Sequence, residues 1–337
     1  MQYAKNNVKV DDLLKYEKFY FIEKLERHYK KHFCNQFFFY PLKFMIMTNR
    51  VKEEAAMENN LILKRFFSKT MLHGLLSDKQ NELFDCVVRR YINNPVGKKY
   101  EELISEIYTY VDKKYRTEYF YKNTILNKLL FKRHNYKKTI ALTELPIANS
   151  KADFVMINGK GVVYEIKTEL DNLDRLNSQV NDYYQAFTEV VIVTYEENLN
   201  KVLGLVPEEV GLIQLTKRKA LRTIREPRHN NQHLDYYTIF KILRKQEFEN
   251  IIVDHGFHLP DVVQFDYYKE CLKIIQCINI NLLQEAMLMQ LKKRMRIELV
   301  EFCRDTPSEL HFLTYFDDIT ANNRERFITK LNEDYGG

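Results

Sequence analysis

Between residues 139 and 216 the chain alternates short β-branched runs with helical ones, and this order restricts its fold more than any other feature. The runs 139–145, 152–157, 162–168, 190–195 and 210–216 have β character. The second and third are joined by Asn158-Gly159-Lys160-Gly161. Asn-Gly between β-type runs is the strongest short hairpin signal, because both turn positions tolerate positive φ. Residues 171–187 read as a helix and 199–205 as a short one. The order helix, strand, strand, strand, helix, strand, helix, strand predicts an α/β mixed sheet with an antiparallel hairpin followed by crossover connections.

The flanks read differently. Residues 1–94 carry apolar and aromatic side chains at helical spacing, as in Leu13-Leu14-Tyr16-Phe19-Tyr20-Ile22 and Ile62-Leu63-Phe66-Phe67. Ser77-Asp78 before a helical run predicts an N-cap there. Asn93-Asn94-Pro95-Val96-Gly97 breaks the pattern, and residues from 227 onward are again helix-like, with one long stretch at 282–302. Only Gly 9 and Pro 7 occur in 337 residues, which disfavours a turn-rich all-β fold. The expected organisation is a helical N-terminal region 1–97, an α/β domain 98–226 and a helical C-terminal region 227–337. No apolar run reaches the ~18 residues needed to cross a bilayer, and the N-terminus has no signal-peptide pattern. The five cysteines are scattered and form no CxxC, so a reduced, cytoplasmic setting is expected.

Alternation along 162–167 places Glu165 and Lys167 on one face. On the neighbouring strand Ala152, Phe154 and Met156 are expected to share the apolar face, with Asp153 opposite. A tight hairpin then brings Asp153 beside Glu165 and Lys167. Two converging carboxylates make an oxygen-rich site for Mg²⁺ or Mn²⁺. Such an ion would activate a water, and a lysine beside it would steady the charge on a phosphate.

Asp153 followed by Glu165-Ile166-Lys167, between two helices, resembles the PD-(D/E)xK nuclease superfamily. Lys151-Ala152 stands where that superfamily loosely keeps a proline before the aspartate. Gln179 and Tyr183, on one helical face with Arg175, resemble the Q-x-x-x-Y element of its RecB-like branch. Glu118 is the only acid among nine Lys and Arg residues between Asp112 and Glu144, and it matches the first-helix glutamate that often completes the superfamily's metal site. Residues 116–225, with Glu169 and Asp171 in the pattern, are similar to a mostly uncharacterised bacterial and phage family of that superfamily. The resemblance implies a restriction-endonuclease-like mixed sheet core. It implies metal held by Glu118, Asp153, Glu165 and the Ile166 carbonyl, with Lys167 steering water and Gln179 and Tyr183 supporting it.

Each feature also has a plainer reading. Glu165 and Lys167 would be a solvated cross-strand ion pair contributing ~0–1 kcal/mol. Tyr183 would be core, Gln179 a surface amide, and Glu118 a helix-surface partner of Lys122. His28/His32 and His229/His233 sit four apart but lack nearby ligands, so solvated helix histidines are expected rather than zinc sites. Cys271 and Cys277 are expected in the core.

The net charge of +6 permits a polyanionic partner. Two basic tracts, 113–138 and 217–228, supply the candidate nucleic-acid contacts Arg116, Lys122, Arg175, Lys217, Arg218, Lys219 and Arg222. Phosphate contacts give affinity with little sequence information, and the sequence shows no zinc finger, RNP element or helix-turn-helix reader. The expectation is a Mg²⁺- or Mn²⁺-dependent nuclease acting on DNA rather than RNA, with a protein partner on its helical flanks. The alternative is a catalytically silent nuclease-fold DNA-binding or regulatory adaptor. A helical scaffold with a purely structural middle domain is the third reading.

Overall fold

The computed structural model describes residues 62–77, 81–114, 116–169 and 171–336. Expectations for the helical pattern at 13–22, the His28/His32 pair, Cys34 and Asp78 lie outside these residues. The described chain belongs to the compact unit Asn60–Gly337, and the boundaries expected at 97 and 226 fall inside it.

The helices before the sheet are α1 (Lys69–Leu76), α2 (Glu82–Tyr91), α3 (Tyr100–Lys114) and α4 (Glu118–Ile125), the last running into a π-helix at Leu126–Arg133. Ser77 does not cap α2. It is the C-cap of α1, and the Asn81 side chain accepts the Phe84 N–H instead. The π-helix begins where the Asn127 side chain donates to the Asn123 carbonyl, a group that the ordinary i→i−4 ladder would use.

The sheet strands are β1 (Ile140–Ile147), β2 (Ser150–Asn158), β3 (Lys160–Lys167), β4 (Glu189–Thr194), β5 (Gly211–Leu215) and β6 (Leu221–Arg225). They lie in sequence order across the sheet. β1/β2, β2/β3 and β5/β6 are antiparallel; β3/β4 and β4/β5 are parallel. The parallel pairs are joined through α5 (Leu176–Tyr184) and α6 (Leu199–Leu205). β4 and β5 are buried throughout, as parallel strands covered on both faces must be. The sheet is thus a mixed α/β core flanked by many helices. β6 occupies what the sequence suggests is only a basic tract; its Arg222, Thr223 and Ile224 are exposed on an edge strand. Pro146 sits in the other edge strand, where a missing N–H breaks no ladder bond.

Each face of the sheet has its own core. Phe154, Met156, Tyr164 and Ile166 pack with Phe120, Tyr121 and Leu126, and this cluster extends from Leu63 to Leu331. Ala152, Val155, Ile157 and Val163 pack with Val180, Tyr183, Phe240 and Leu283 on the other side. Ala152 therefore does not share the face of Phe154 and Met156, because simple alternation fails around Asp153. Gly159 takes φ 78 in the β2–β3 turn, as the Asn-Gly signal requires. At Gly161 a Cβ would stand 2.6 Å from Leu288, so the helix above β3 approaches too closely for any side chain.

After β6 come α7 (Tyr236–Ile242), α8 (Lys245–Asp254), α9 (Gln264–Ile275), α10 (Ile280–Lys292), α11 (Ile297–Asp305), α12 (His311–Tyr315) and α13 (Ala321–Asn332). The expected continuous stretch 282–302 is broken at 293–296. There Arg294 turns inward, donating twice to Glu247 at 2.6 Å and once to the Ile242 carbonyl. His229 and His233 lie on exposed non-helical chain, so the helical spacing read for them does not exist. Cys271 is buried, whereas Cys277 is exposed. Among the described residues no helix is long and apolar enough to cross a membrane.

Candidate functional site

The β2–β3 ladder ends at the Phe154/Tyr164 pair. Beyond it the Asp153 carboxylate stands in for backbone, with Oδ2 accepting the Ile166 N–H at 2.9 Å. The contact to Ile166 is thus through its N–H. On β3, Glu165 and Lys167 both turn toward α5, and a closed ring of bonds results. Lys167 Nζ donates to Glu165 Oε1 at 2.9 Å and to Gln179 Oε1 at 2.8 Å; Gln179 Nε2 donates to Glu165 Oε1 at 2.7 Å. Tyr183 donates to Glu165 Oε2 at 2.6 Å and to the Lys151 carbonyl at 3.1 Å. Both Glu165 oxygens are therefore engaged, and the residue is only 2% exposed. Burial first, then the Glu165 charge and hydrogen bond, push the Tyr183 pKa far above the usual phenol value, so its hydroxyl stays a donor. This is a satisfied buried network rather than a solvated surface pair.

A second cluster lies against Asp153. Glu118, Glu144 and Asp153 bring carboxylate oxygens within 4.8 Å of one another. Glu165 is not among them. The Lys122 ammonium is bonded into this group, at 2.6 Å from Glu118, 2.7 Å from Glu144 and 3.5 Å from Asp153. Burial lowers the Lys122 pKa, but Asp153 and Glu118 outweigh it and hold the amine charged above the ordinary lysine range. Burial and then the Glu165 charge raise Asp153 to about 7, against the lowering effects of Lys122 and the Ile166 N–H. Three carboxylates are a donor set suited to a hard cation, and any ion there would share Glu118 and Glu144, both more than half exposed, with the ammonium. The helix-surface reading of Glu118 describes part of this geometry, since it does pair with Lys122.

Glu144 is a member of the cluster that the sequence reading does not single out. It takes φ 54, a conformation costing an ordinary side chain about 1–2 kcal/mol, and its pairing with the buried ammonium offsets that cost. The signal lay in the register, because Thr143↔Phe154 and Leu145↔Ala152 place position 144 across from Asp153.

The profile of the bacteriophage P4 protein cII family matches residues 112–314, more than half of the chain. This chain belongs to the bacteriophage P4 protein cII family. Protein cII of Enterobacteria phage P4 is 22% identical over 171 residues, covering 49% of this chain and 63% of the phage protein. The chain thus spans less than two thirds of that relative's length. Among solved structures, SPO1766, a protein of unknown function from Silicibacter pomeroyi, is 13% identical with a TM-score of 0.27. That match covers 40% of this chain and 92% of SPO1766, and it is too loose to carry an argument about the fold.

Membership of the cII family overturns the expected membership of the PD-(D/E)xK superfamily, and with it the metal-dependent nuclease and hydrolase readings. The motif misled for a physical reason. Its residues do converge, but Glu165 is buried and bonded to Lys167, Gln179 and Tyr183, and the Lys122 ammonium sits among the acids around Asp153.

The residues expected on nucleic acid divide into two groups in this cII-family chain. Arg116 and Lys122 face inward. Arg116 donates to the carbonyls of Thr216 and Lys217 and to Asp112, and Lys122 lies in the acid cluster. Lys219 is half-buried and pairs with Asp112 at 2.7 Å. Arg175, at the N-cap of α5, is exposed. Lys217, Arg218 and Arg222 are exposed near the β5–β6 turn, and among the described residues Lys217 has only Glu197, 3.9 Å away, as an ion-pair partner.

Proposed function

We propose that this cII-family chain is a DNA-binding regulatory protein built on a mixed α/β sheet core. The observation that carries the reading is that the polar groups of the motif are already bonded to one another. A carboxylate that serves as a catalytic ligand needs a free lone pair facing solvent, and Glu165 is 2% exposed with most of its acceptor capacity taken by Lys167, Gln179 and Tyr183. Lys217, Arg218 and Arg222 at the β5–β6 turn, in contrast, have a weak partner or none among the described residues, and unpaired Lys and Arg supply phosphate affinity. The family supports a phage role. The test is anisotropy with labelled duplex DNA, in Mg²⁺ and in EDTA, followed by a gel of the recovered DNA. Binding that weakens steeply with salt, equal in both buffers, with the DNA left intact, is expected. No binding at ~50 mM salt, a condition in which phosphate-driven complexes are strong, overturns the reading.

A further inference from the structure

The β5–β6 turn is built more rigidly than an ordinary surface hairpin. The Thr216 N–H donates to the Ala220 carbonyl, the Ala220 N–H to Thr216 Oγ1, and the Lys219 N–H to the Thr216 carbonyl. Lys219 takes φ 63, a conformation that usually falls to glycine or asparagine. From outside the hairpin, Arg116 reaches the turn carbonyls at 2.9 Å (Thr216) and 2.6 Å (Lys217). Asp112 holds Arg116 at 3.0 Å and Lys219 at 2.7 Å. The Arg116 guanidinium and the Lys219 ammonium both lie over the Phe120 ring, at 5.2 Å and 5.9 Å from its centre. Two cations and one acid thus brace this turn. Lys217, 84% exposed, and Arg218 project beyond the brace, and Arg222 follows on the edge strand. Among the described residues no side-chain hydrogen bond or ion pair holds Arg218 or Arg222, and Lys113 and Lys114, exposed beside Asp112, extend the same charge.

We propose that this braced turn and edge strand form the surface that grips the phosphate backbone of duplex DNA, with Lys217, Arg218 and Arg222 making the contacts and Arg116 positioning them. The proposal rests on the DNA-binding reading and names its surface. Three features favour a duplex backbone. The free charges sit on rigid backbone, so little side-chain and loop ordering is left to oppose binding. β5 is buried between its neighbours, so the hairpin meets its partner by tip and edge and does not read bases from within a groove. The turn and β6 carry no aromatic side chain, and single strands are held by stacking on such side chains.

The experiment measures the affinity of the full chain for a labelled duplex, and for one of its single strands, across salt concentrations. Three proteins are compared: wild type, the triple variant Lys217→Ala/Arg218→Ala/Arg222→Ala, and Arg116→Met, each checked for folding by circular dichroism. Each lost phosphate contact lowers the slope of log K against log salt by about 0.9, so the triple variant's slope should fall by roughly 2 to 3, with affinity at least tenfold weaker near 0.1 M salt. Arg116→Met should bind several-fold more weakly with an unchanged slope, which a merely charge-contributing arginine would not do. Should Arg116→Met prove misfolded, the triple variant, altered only at exposed positions, decides alone. A triple variant with the wild-type slope, or a tighter grip on the single strand than on the duplex, overturns the surface. Loss of all DNA binding by the wild type overturns instead the DNA-binding reading beneath it.

Discussion

The buried cluster at the end of β3 and the braced turn between β5 and β6 both concentrate charge, and they use it in opposite ways. In the first, Lys167 and Lys122 meet carboxylates at 2.6 to 3.5 Å, and their heads are turned from solvent. In the second, Arg116 and Lys219 share Asp112, while Lys217, Arg218 and Arg222 stand clear. A motif records which residue types converge; it does not record whether those groups are already bonded to one another. That bonding decides between a site that holds the protein together and one that can meet a ligand.

The largest effect that can break the comparison is on stability. Lys167→Met leaves Glu165 buried with its counter-charge gone, and removing one partner of such a pair costs about 3–5 kcal/mol. Urea unfolding should show that loss, and Glu165→Leu in the Lys167→Met background should recover part of it, since both charges then vanish together. If Lys167→Met costs under ~1 kcal/mol, the ring is not a structural element and the contrast between the two regions fails.

The next effect is smaller and depends on pH. In the folded protein Asp153 titrates at about 7, above its ordinary range, because burial and the Glu165 charge oppose ionisation. The folded state therefore binds more protons than the unfolded chain between about pH 4 and 7. The stability Asp153 contributes is full below about pH 4 and is lost as pH rises through 7. A tenfold difference in proton affinity between the two states corresponds to ~1.4 kcal/mol. Asp153→Asn keeps an oxygen for the Ile166 N–H and removes the titration. Wild type should lose at least ~1 kcal/mol more than this variant between about pH 5 and pH 8. Parallel stability curves would mean that Lys122 compensates Asp153 fully.

Much of the sheet was legible because its cues are local. The β-branched runs, Asn158-Gly159 and the alternation Glu165-x-Lys167 correspond to strands β2 and β3 and to a shared face. The helical spacing of Gln179 and Tyr183 brings both side chains to Glu165. The helix expected at 171–187 is shorter at its start because the Asp171 carboxylate bonds back to the Thr168 N–H and hydroxyl, favouring a turn. β6 escapes notice because Arg222 and Thr223 look like loop residues, although an edge strand tolerates polar side chains on its open side. The deepest miss concerns Lys122. Its basic neighbours point it toward phosphate and its i+4 spacing gives it Glu118, but Glu144 and Asp153, more than twenty residues away on β1 and β2, complete its surroundings. No local pattern carries that information, and it is what separates a bonded cluster from an open one.

The smallest expected effect sharpens the contrast from the other side. Lys217→Ala and Arg218→Ala remove charges that the fold does not use: Lys217 is 84% exposed and its nearest acid, Glu197, is 3.9 Å away. Exposed pairs of this kind contribute about 0–1 kcal/mol, and surface substitutions away from caps and strained backbone usually stay within about ±0.5 kcal/mol. Urea midpoints of both variants should therefore match wild type, while Arg116→Met, which unties two turn carbonyls and leaves Asp112 with Lys219 alone, should lower the midpoint measurably. Equal losses from Lys217→Ala and Arg116→Met would place Lys217 inside the brace, and only Arg218 and Arg222 would then be left free for a partner.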